Sequence, residues 1–276
     1  MTVEDLIIYG KKTVHSTHAK MLLADLLEIN PLELLNYLDK EIDEEIVNNY
    51  KKRIEALGSK KPIQYVIGNV NFYGNKFKVN ENVLIPRFET EELVENTLKY
   101  IDDIFSSKDL KVIDLGCGSG CIGITLKNKI PNLNVTLLDI SPKALEVAKQ
   151  NATDLKTDVI LVENDMLEGL NEKYDVIISN PPYIKENEEI EDIVKNNEPH
   201  LALYAGIDGL DCYRKILKEA PNHVNKDFLI AFEIGESQKE DVITLAAAYF
   251  PKATIITKKD MQERDRMVFI YQKDSK

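Results

Sequence analysis

The stretch Val112-Ile113-Asp114-Leu115-Gly116-Cys117-Gly118-Ser119-Gly120 decides the fold: a β-branched run passes into a glycine-rich turn and then into a helical pattern over residues 122–130. A strand that turns directly into a helix opens a parallel α/β unit, and glycines in such a turn let the backbone approach a ligand closely. Downstream, β-branched runs at 135–139, 159–163 and 175–179 alternate with helical patterns, and the series continues at 228–233, 254–257 and 267–271. This alternation predicts parallel strands joined by crossover helices, in a doubly wound sheet of about seven strands. Only residues 258–266 separate the last two runs. That is too little chain for a parallel crossover, so these strands are expected to be antiparallel neighbours.

Upstream the pattern is helical. From Ala19, Leu22, Leu23, Leu26 and Leu27 recur with the spacing of an amphipathic helix, ended by Asn30-Pro31. Asn30 can cap a second helix with Pro31 at its first position and Leu34, Leu35 and Leu38 on one face. A third stripe, Ile46, Val47, Tyr50, Ile54 and Leu57, stops at Gly58, a residue suited to a left-handed helix terminator. Residues 62–88 read as a connecting β-ribbon, because Phe72-Tyr73-Gly74-Asn75-Lys76-Phe77 sets aromatics on either side of Gly-Asn. A charged helix comes next, over residues 89–100.

Asp139 closes the second strand of the body about twenty residues after the glycine turn, where a carboxylate can accept the two ribose hydroxyls of a nucleoside. The turn alone does not choose the nucleoside, since Gly118-Ser119-Gly120-Cys121-Ile122-Gly123 also satisfies the dinucleotide pattern. Its register argues otherwise: Gly116 directly follows the strand, and the position five beyond it is Cys121. Asp114-x-Gly116-x-Gly118-x-Gly120 instead resembles the first motif of S-adenosyl-L-methionine (SAM) methyltransferases.

The run 175–179 delivers Asn180-Pro181-Pro182-Tyr183 at its carboxyl end, the edge where α/β sheets bind ligands. Each proline removes a backbone donor and drives the preceding residue toward extended geometry, so the segment is stiff and rich in acceptors. The Asn180 side-chain oxygen and the Pro181 carbonyl can accept both hydrogens of a planar NH₂ group while the Tyr183 ring covers its flat face. Such a clamp suits an amide or an exocyclic amine. An amide nitrogen is a poor nucleophile, and this motif holds no histidine or cysteine to activate it, so positioning must supply the acceleration.

Composition bounds the alternatives. The chain has 276 residues, 43% apolar and 30% charged, a length for two domains or for one large α/β domain with an appendage and a composition that excludes a disordered or fibrous architecture. A net charge of −12 argues against a broad phosphate-gripping surface. Three cysteines, Cys117, Cys121 and Cys212, cannot all pair within one chain, and no signal-peptide pattern opens the sequence, so a reducing cytoplasm is expected. Cys117 and Cys121 lack further ligands to complete a zinc site, and charges interrupt every apolar run before it reaches membrane-spanning length. His15 and His18 are assigned no role. Arg87 with Glu89 and Glu91 admits two readings, a salt-bridged hinge or a wall of the site.

With these residues in view, the chain resembles the HemK/PrmC family, SAM-dependent methyltransferases that modify the glutamine of the Gly-Gly-Gln loop of peptide chain release factors. The likeness runs over nearly the whole chain. It includes Pro62-Ile63-Gln64-Tyr65-Val66-Ile67-Gly68, Phe72, Val83-Leu84-Ile85-Pro86-Arg87-Phe88-Glu89-Thr90-Glu91, and Glu198-Pro199 ahead of Ala202-Leu203. It implies a Rossmann-like seven-stranded sheet with the last strand antiparallel, a helical domain over 1–60 that docks the release factor, a β-ribbon linker over 61–88, and a methyltransferase domain over 89–276. It implies that Gly116, Cys117, Gly118, Ser119, Gly120 and Asp139 hold the methionine and ribose of SAM, that Asp165 and Met166 border its adenine, and that Asn180 also meets the cofactor. Asn180, Pro181, Pro182 and Tyr183 would receive the glutamine amide, with Asn180, Pro181 and Tyr183 as the catalytic set. Phe88 stands where the family has proline, and Met166 where some members carry an aromatic. The expectation is a cytoplasmic monomer acting on a protein, with no metal, no membrane and no direct nucleic-acid contact. The rival readings are an adenine-N6 or guanine-N2 nucleic-acid methyltransferase using the same clamp on a flipped base, a non-enzymatic SAM-binding module, and an NAD dehydrogenase.

Overall fold

A computed structural model of the chain describes residues 1–107 and 109–274. The chain forms two compact units, Met1–Asn69 with Ile190–Asn197, and Val70–Glu189 with the chain from Glu198 onward.

The first unit is helical. A capping box between Thr2 and Asp5 starts α1 (Val3–Gly10), a helix too short for its stripe to stand out in the sequence. His15 begins α2 (Ser16–Leu26), its Nδ1 accepting from Thr17 N at 3.3 Å, so this histidine serves as a cap. Asn30 does cap the next element, its Oδ1 accepting from Leu32 N at 3.0 Å, but Pro31–Tyr37 is a 3₁₀ helix. At about three residues per turn the stripe expected over Leu34, Leu35 and Leu38 breaks up. Leu34 is buried, while Leu32 and Leu35 share an exposed face. In α3 (Glu44–Gly58) the buried Val47, Tyr50, Ile54 and Leu57 pack with Leu6, Leu22 and Leu23. Gly58 is not the left-handed terminator the sequence suggests: that conformation falls at Lys60, φ 65°. A side chain at Gly58 would press on Thr13 Cγ2, its Cβ standing only 2.6 Å away, so this glycine is there for close packing.

Gly68, at φ 88°, ends the short α4 (Ile63–Ile67), which occupies part of the stretch read as ribbon. The strand pairing is confined to β1 (Asn69–Phe72) and β2 (Asn75–Lys78). Their turn is Tyr73-Gly74, both at positive φ as a tight two-residue hairpin requires, one position earlier than Gly-Asn.

The rest alternates as the sequence predicts. After α5 (Phe88–Ile104), which outruns the expected helix by one turn to bury Ile101 and Ile104, come β3 (Lys111–Leu115), α6 (Cys121–Lys129), β4 (Asn134–Asp139), α7 (Pro142–Asp154), β5 (Ile160–Glu163) and β6 (Tyr174–Ser179). The chain lends α8 (Asp192–Asn197) to the first unit and returns with α9 (Asp211–His223), β7 (Val224–Glu233), α10 (Lys239–Tyr249), β8 (Thr254–Lys259) and β9 (Asp265–Gln272). The sheet order is β5-β4-β3-β6-β7-β9-β8. Neighbouring strands from β5 to β7 are parallel, whereas β9 is antiparallel to both β7 and β8. Both faces are buried, as parallel sheets require: Val112, Leu137 and Val176 pack on one side, Ile113, Leu138 and Ile177 on the other. No helix among the described residues is long and apolar enough to cross a membrane.

The packing of α6 on the sheet depends on Gly123. An added Cβ there would collide with Leu137 Cδ2 and come within 3.1 Å of Val135 Cγ1. Gly123→Val is therefore expected to lower unfolding free energy by about 2 kcal/mol, read as a lower urea midpoint. An unchanged midpoint would show that α6 can move off the sheet without loss.

Candidate active site

The parallel strands β3, β4, β5 and β6 all end at the same edge, and the residues just beyond those ends supply most of the floor of the site. After β3 the chain turns into α6 with Gly116, Gly118 and Gly120 at φ 68°, 54° and 77°, conformations other residues rarely adopt. These glycines do different work. A Cβ on Gly116 or Gly118 would meet no protein atom within 4 Å, and both residues line a cavity of about 360 Å³. A Cβ on Gly120 would come within 2.9 Å of Ile124 Cδ1 and 3.1 Å of Leu137 Cδ1, and Gly120 stands outside the cavity lining. Two glycines thus keep ligand space open, and the third lets the helix pack.

The turn is tied to β4. Cys117 N donates to Leu138 O at 2.9 Å, Gly118 N to Asp139 Oδ2 at 2.9 Å, and Ser141 N to Asp139 Oδ1 at 2.9 Å. Backbone donors hold both Asp139 oxygens, yet a carboxylate has about four acceptor positions, so with three backbone bonds made it still keeps one for a ligand hydroxyl. Burial raises the Asp139 pKa, and the bonds from Ser141, Gly118 and Ile140 oppose the rise. After β5, Asn164 Nδ2 donates to Met166 O at 3.0 Å and holds Met166 at φ 51° on the cavity wall. Asp165 lines the same wall and pairs with Lys215.

After β6, Asn180 lies on the cavity wall with its Nδ2 donating to Thr90 Oγ1 at 3.1 Å. Thr90 in turn donates to Glu233 Oε2 at 2.6 Å, and the Tyr183 hydroxyl lies 3.5 Å from Glu233 Oε1. The Tyr183 backbone is held separately. Buried Gln238 accepts from Gly235 N at 3.0 Å and donates to Tyr183 O at 2.9 Å and Gly209 O at 3.0 Å. The roof of the cavity joins two distant segments: Glu198, 4% exposed, accepts from Ile85 N at 3.1 Å and from Arg87 Nη2 at 2.5 Å. Arg87 therefore pairs with Glu198 and not with Glu89 or Glu91, and Glu91 instead accepts from Tyr73 N.

The cavity thus gathers Gly116, Cys117, Gly118, Ser119, Asp139, Asp165, Met166, Asn180 and Pro182. Gly120, Pro181 and Tyr183 do not border it. Thr90, Glu233 and Gln238 were not anticipated as site residues. Glu233 has a visible signal, a carboxylate closing the apolar run 228–232 at the ligand edge, as Asp139 closes its own; Thr90 shows only as a member of the motif at 83–91, and Gln238 has no signal.

This sheet and its ligand edge define a methyltransferase domain, and the comparisons agree. Residues 68–202 match the Methyltransferase small domain, and residues 15–68 the PrmC N-terminal domain. The fold is shared with the crystal structure of a ribosomal protein L11 methylase from Lactobacillus delbrueckii subsp. bulgaricus, at TM-score 0.51 and 18% identity over 74% of this chain and 89% of that one. A release factor glutamine methyltransferase of Bacillus cereus is 42% identical over 255 residues, 91% of this chain and 90% of that protein. One from Flavobacterium psychrophilum is 38% identical over 266 residues, 95% and 93% of the two chains. The chain belongs to the release factor glutamine methyltransferase family, and it is an enzyme.

Two buried acids near the site set a pH dependence of stability. Burial raises Asp114 to about 7; Gly123 N, donating to its Oδ2 at 2.9 Å, opposes this, while its Oδ1 meets no partner among the described residues. Burial likewise raises Glu233 to about 7. Both groups hold protons in the folded chain that the unfolded chain has released, so stability falls as pH rises from about 4 to about 7. Asp114→Asn removes one such proton, and its stability should fall less steeply over that window in urea unfolding at stepped pH. Equal slopes for parent and variant would exclude the assignment to Asp114.

Proposed function

We propose that this enzyme transfers a methyl group from SAM to the side-chain nitrogen of the glutamine in the Gly-Gly-Gln motif of peptide chain release factors. The observation that carries the reading is that Asn180 shares one cavity wall with the glycine turn and Asp139 while its own NH₂ is spent on Thr90, so that its oxygen remains as an acceptor. Family membership supports the substrate.

The residues fit the cofactor: open space above Gly116 and Gly118, a fixed carboxylate with an acceptor position to spare, and a largely apolar wall. Gly116, Cys117, Gly118 and Ser119 would border its methionine, Asp139 its ribose hydroxyls, and Asp165 and Met166 its adenine. When bound, SAM supplies an electrophilic methyl carbon on sulfonium sulfur. The chain's part is to present the amide. Asn180 Oδ1, on the cavity wall, would accept one amide hydrogen, and the Pro181 carbonyl and Tyr183 ring, which lie outside the cavity lining, would have to reach the amide from beside it to accept the other and cover its flat face. Holding the nitrogen in line can lower the barrier by roughly 7 to 11 kcal/mol. As positive charge grows on that nitrogen, two oxygen acceptors stabilise it more than they stabilise the neutral amide, and the nitrogen becomes neutral again by losing one of its protons to solvent late in the transfer. The helical first unit would dock the release factor.

Incubation with radiolabelled SAM and either release factor or nucleic acid tests the reading, and label on RNA or DNA alone would defeat it. Asn180→Ala is expected to cut transfer by about 10²- to 10³-fold while calorimetry finds SAM affinity largely unchanged.

A further inference from the structure

A carboxamide has a donor end and an acceptor end of nearly the same shape, so a site that uses the Asn180 oxygen must prevent the group from turning over. Thr90 alone does not prevent it, because a hydroxyl can accept from the Asn180 nitrogen or donate to the Asn180 oxygen equally well. The difference lies one bond further back. Glu233 Oε2 stands 2.6 Å from Thr90 Oγ1, within the short range of a hydroxyl donating to a carboxylate. An ionised carboxylate only accepts, so the single Thr90 proton goes to Glu233 and only lone pairs remain for Asn180. The Asn180 Nδ2, at 3.1 Å from Thr90 Oγ1, is then the end that can bond there, and Oδ1 is left for the cavity.

We propose that Glu233 is a positioning residue that, acting through the Thr90 hydroxyl, fixes which end of the Asn180 carboxamide faces the bound substrate. The inference rests on the clamp described above and adds what gives the clamp its polarity. Glu233 lies 2% exposed at the end of β7, outside the cavity lining. Facing it are Thr90 and Glu89 from α5, the Tyr183 hydroxyl, Arg266 from β9 and Cys121 from α6. Tyr213 from α9 donates to its backbone oxygen at 2.8 Å. Burial and Glu89 oppose the ionised form, while Thr90, Arg266 and Tyr183 favour it. Once protonated, Glu233 can donate to Thr90, which frees the hydroxyl proton for the Asn180 oxygen and lets the carboxamide reverse. The device is therefore polar only while Glu233 is charged, and burial places that change at about 7. Activity should rise with pH through this value.

The test uses the full chain with SAM and release factor. Thr90→Val keeps the shape and removes the hydroxyl, and kcat should fall by about tenfold or more with SAM affinity unaltered, whereas Thr90→Ser should restore turnover to within about threefold of the parent. Glu233→Gln cannot ionise, and its pH–rate profile should lack the rise near 7. A second measurement needs neither cofactor nor turnover. The Asn180 side-chain ¹⁵N–H₂ resonance, assigned by its loss in Asn180→Asp, should shift with pH in the parent at a midpoint near 7 and stay flat in Glu233→Gln. Parent-like turnover and pH profile in Thr90→Val, or a parent Asn180 resonance indifferent to pH, would overturn the proposal. Should the parent label nucleic acid and spare the release factor, the substrate reading fails, and the resonance titration still decides the polarity of Asn180.

Discussion

The chain reverses from β3 into α6 across five residues, three of them glycines at positive φ, and the rest of the site is built around that reversal. The turn brings the helix start onto β4, where Gly120 and Gly123 allow contact with Leu137 at distances no side chain would permit. It also points backbone N–H groups at the end of β4, where Asp139 accepts one of them and is oriented by it. Backbone donors on both oxygens fix how the carboxylate faces the cavity, which limits what must be ordered on binding. A looser turn would loosen the acid as well.

Much of this was readable from the residues alone, for a physical reason. Parallel strands buried on both faces must be apolar throughout, and their crossovers must be amphipathic, so residues 111–179 show their architecture as alternation. The antiparallel pair at the end was readable from chain length. Less regular parts were not. Residues 31–37 carry leucines compatible with an α-helix, and only the tighter 3₁₀ winding separates Leu34 from Leu35. At Gly58 the sequence offered a terminator, whereas the glycine answers to Thr13, forty-five positions away in the chain. Close approach between distant segments leaves no local pattern.

The site divides along the same line. The glycine turn, Asp139 and Asn180-Pro181-Pro182-Tyr183 are contiguous motifs whose chemistry can be argued from residue type. Thr90, Glu233 and Gln238 act from three other elements, and each matters because of what it touches. The roof shows the same principle. Glu198 joins a backbone amide at Ile85 to the Arg87 guanidinium, a pairing across more than a hundred residues that the nearby Glu89 and Glu91 obscured. The acids closest in sequence are not the ones Arg87 meets, because Glu91 turns to Tyr73 N and Glu89 to Gln262.

Gln238 carries a consequence of its own. Two prolines take two amide protons from the tetrapeptide, so its backbone is rich in carbonyls, and a fastener for those must bring hydrogens. Here one primary amide gives both of its hydrogens to carbonyls at 183 and 209 and takes one back from the amide at 235. Glutamate has the same outline and would set a negative oxygen against those carbonyls; asparagine is a methylene too short. The stiffness of the loop that faces the substrate is thus borrowed from a residue fifty-five positions downstream, whose replacement by its nearest chemical relatives would unlatch it.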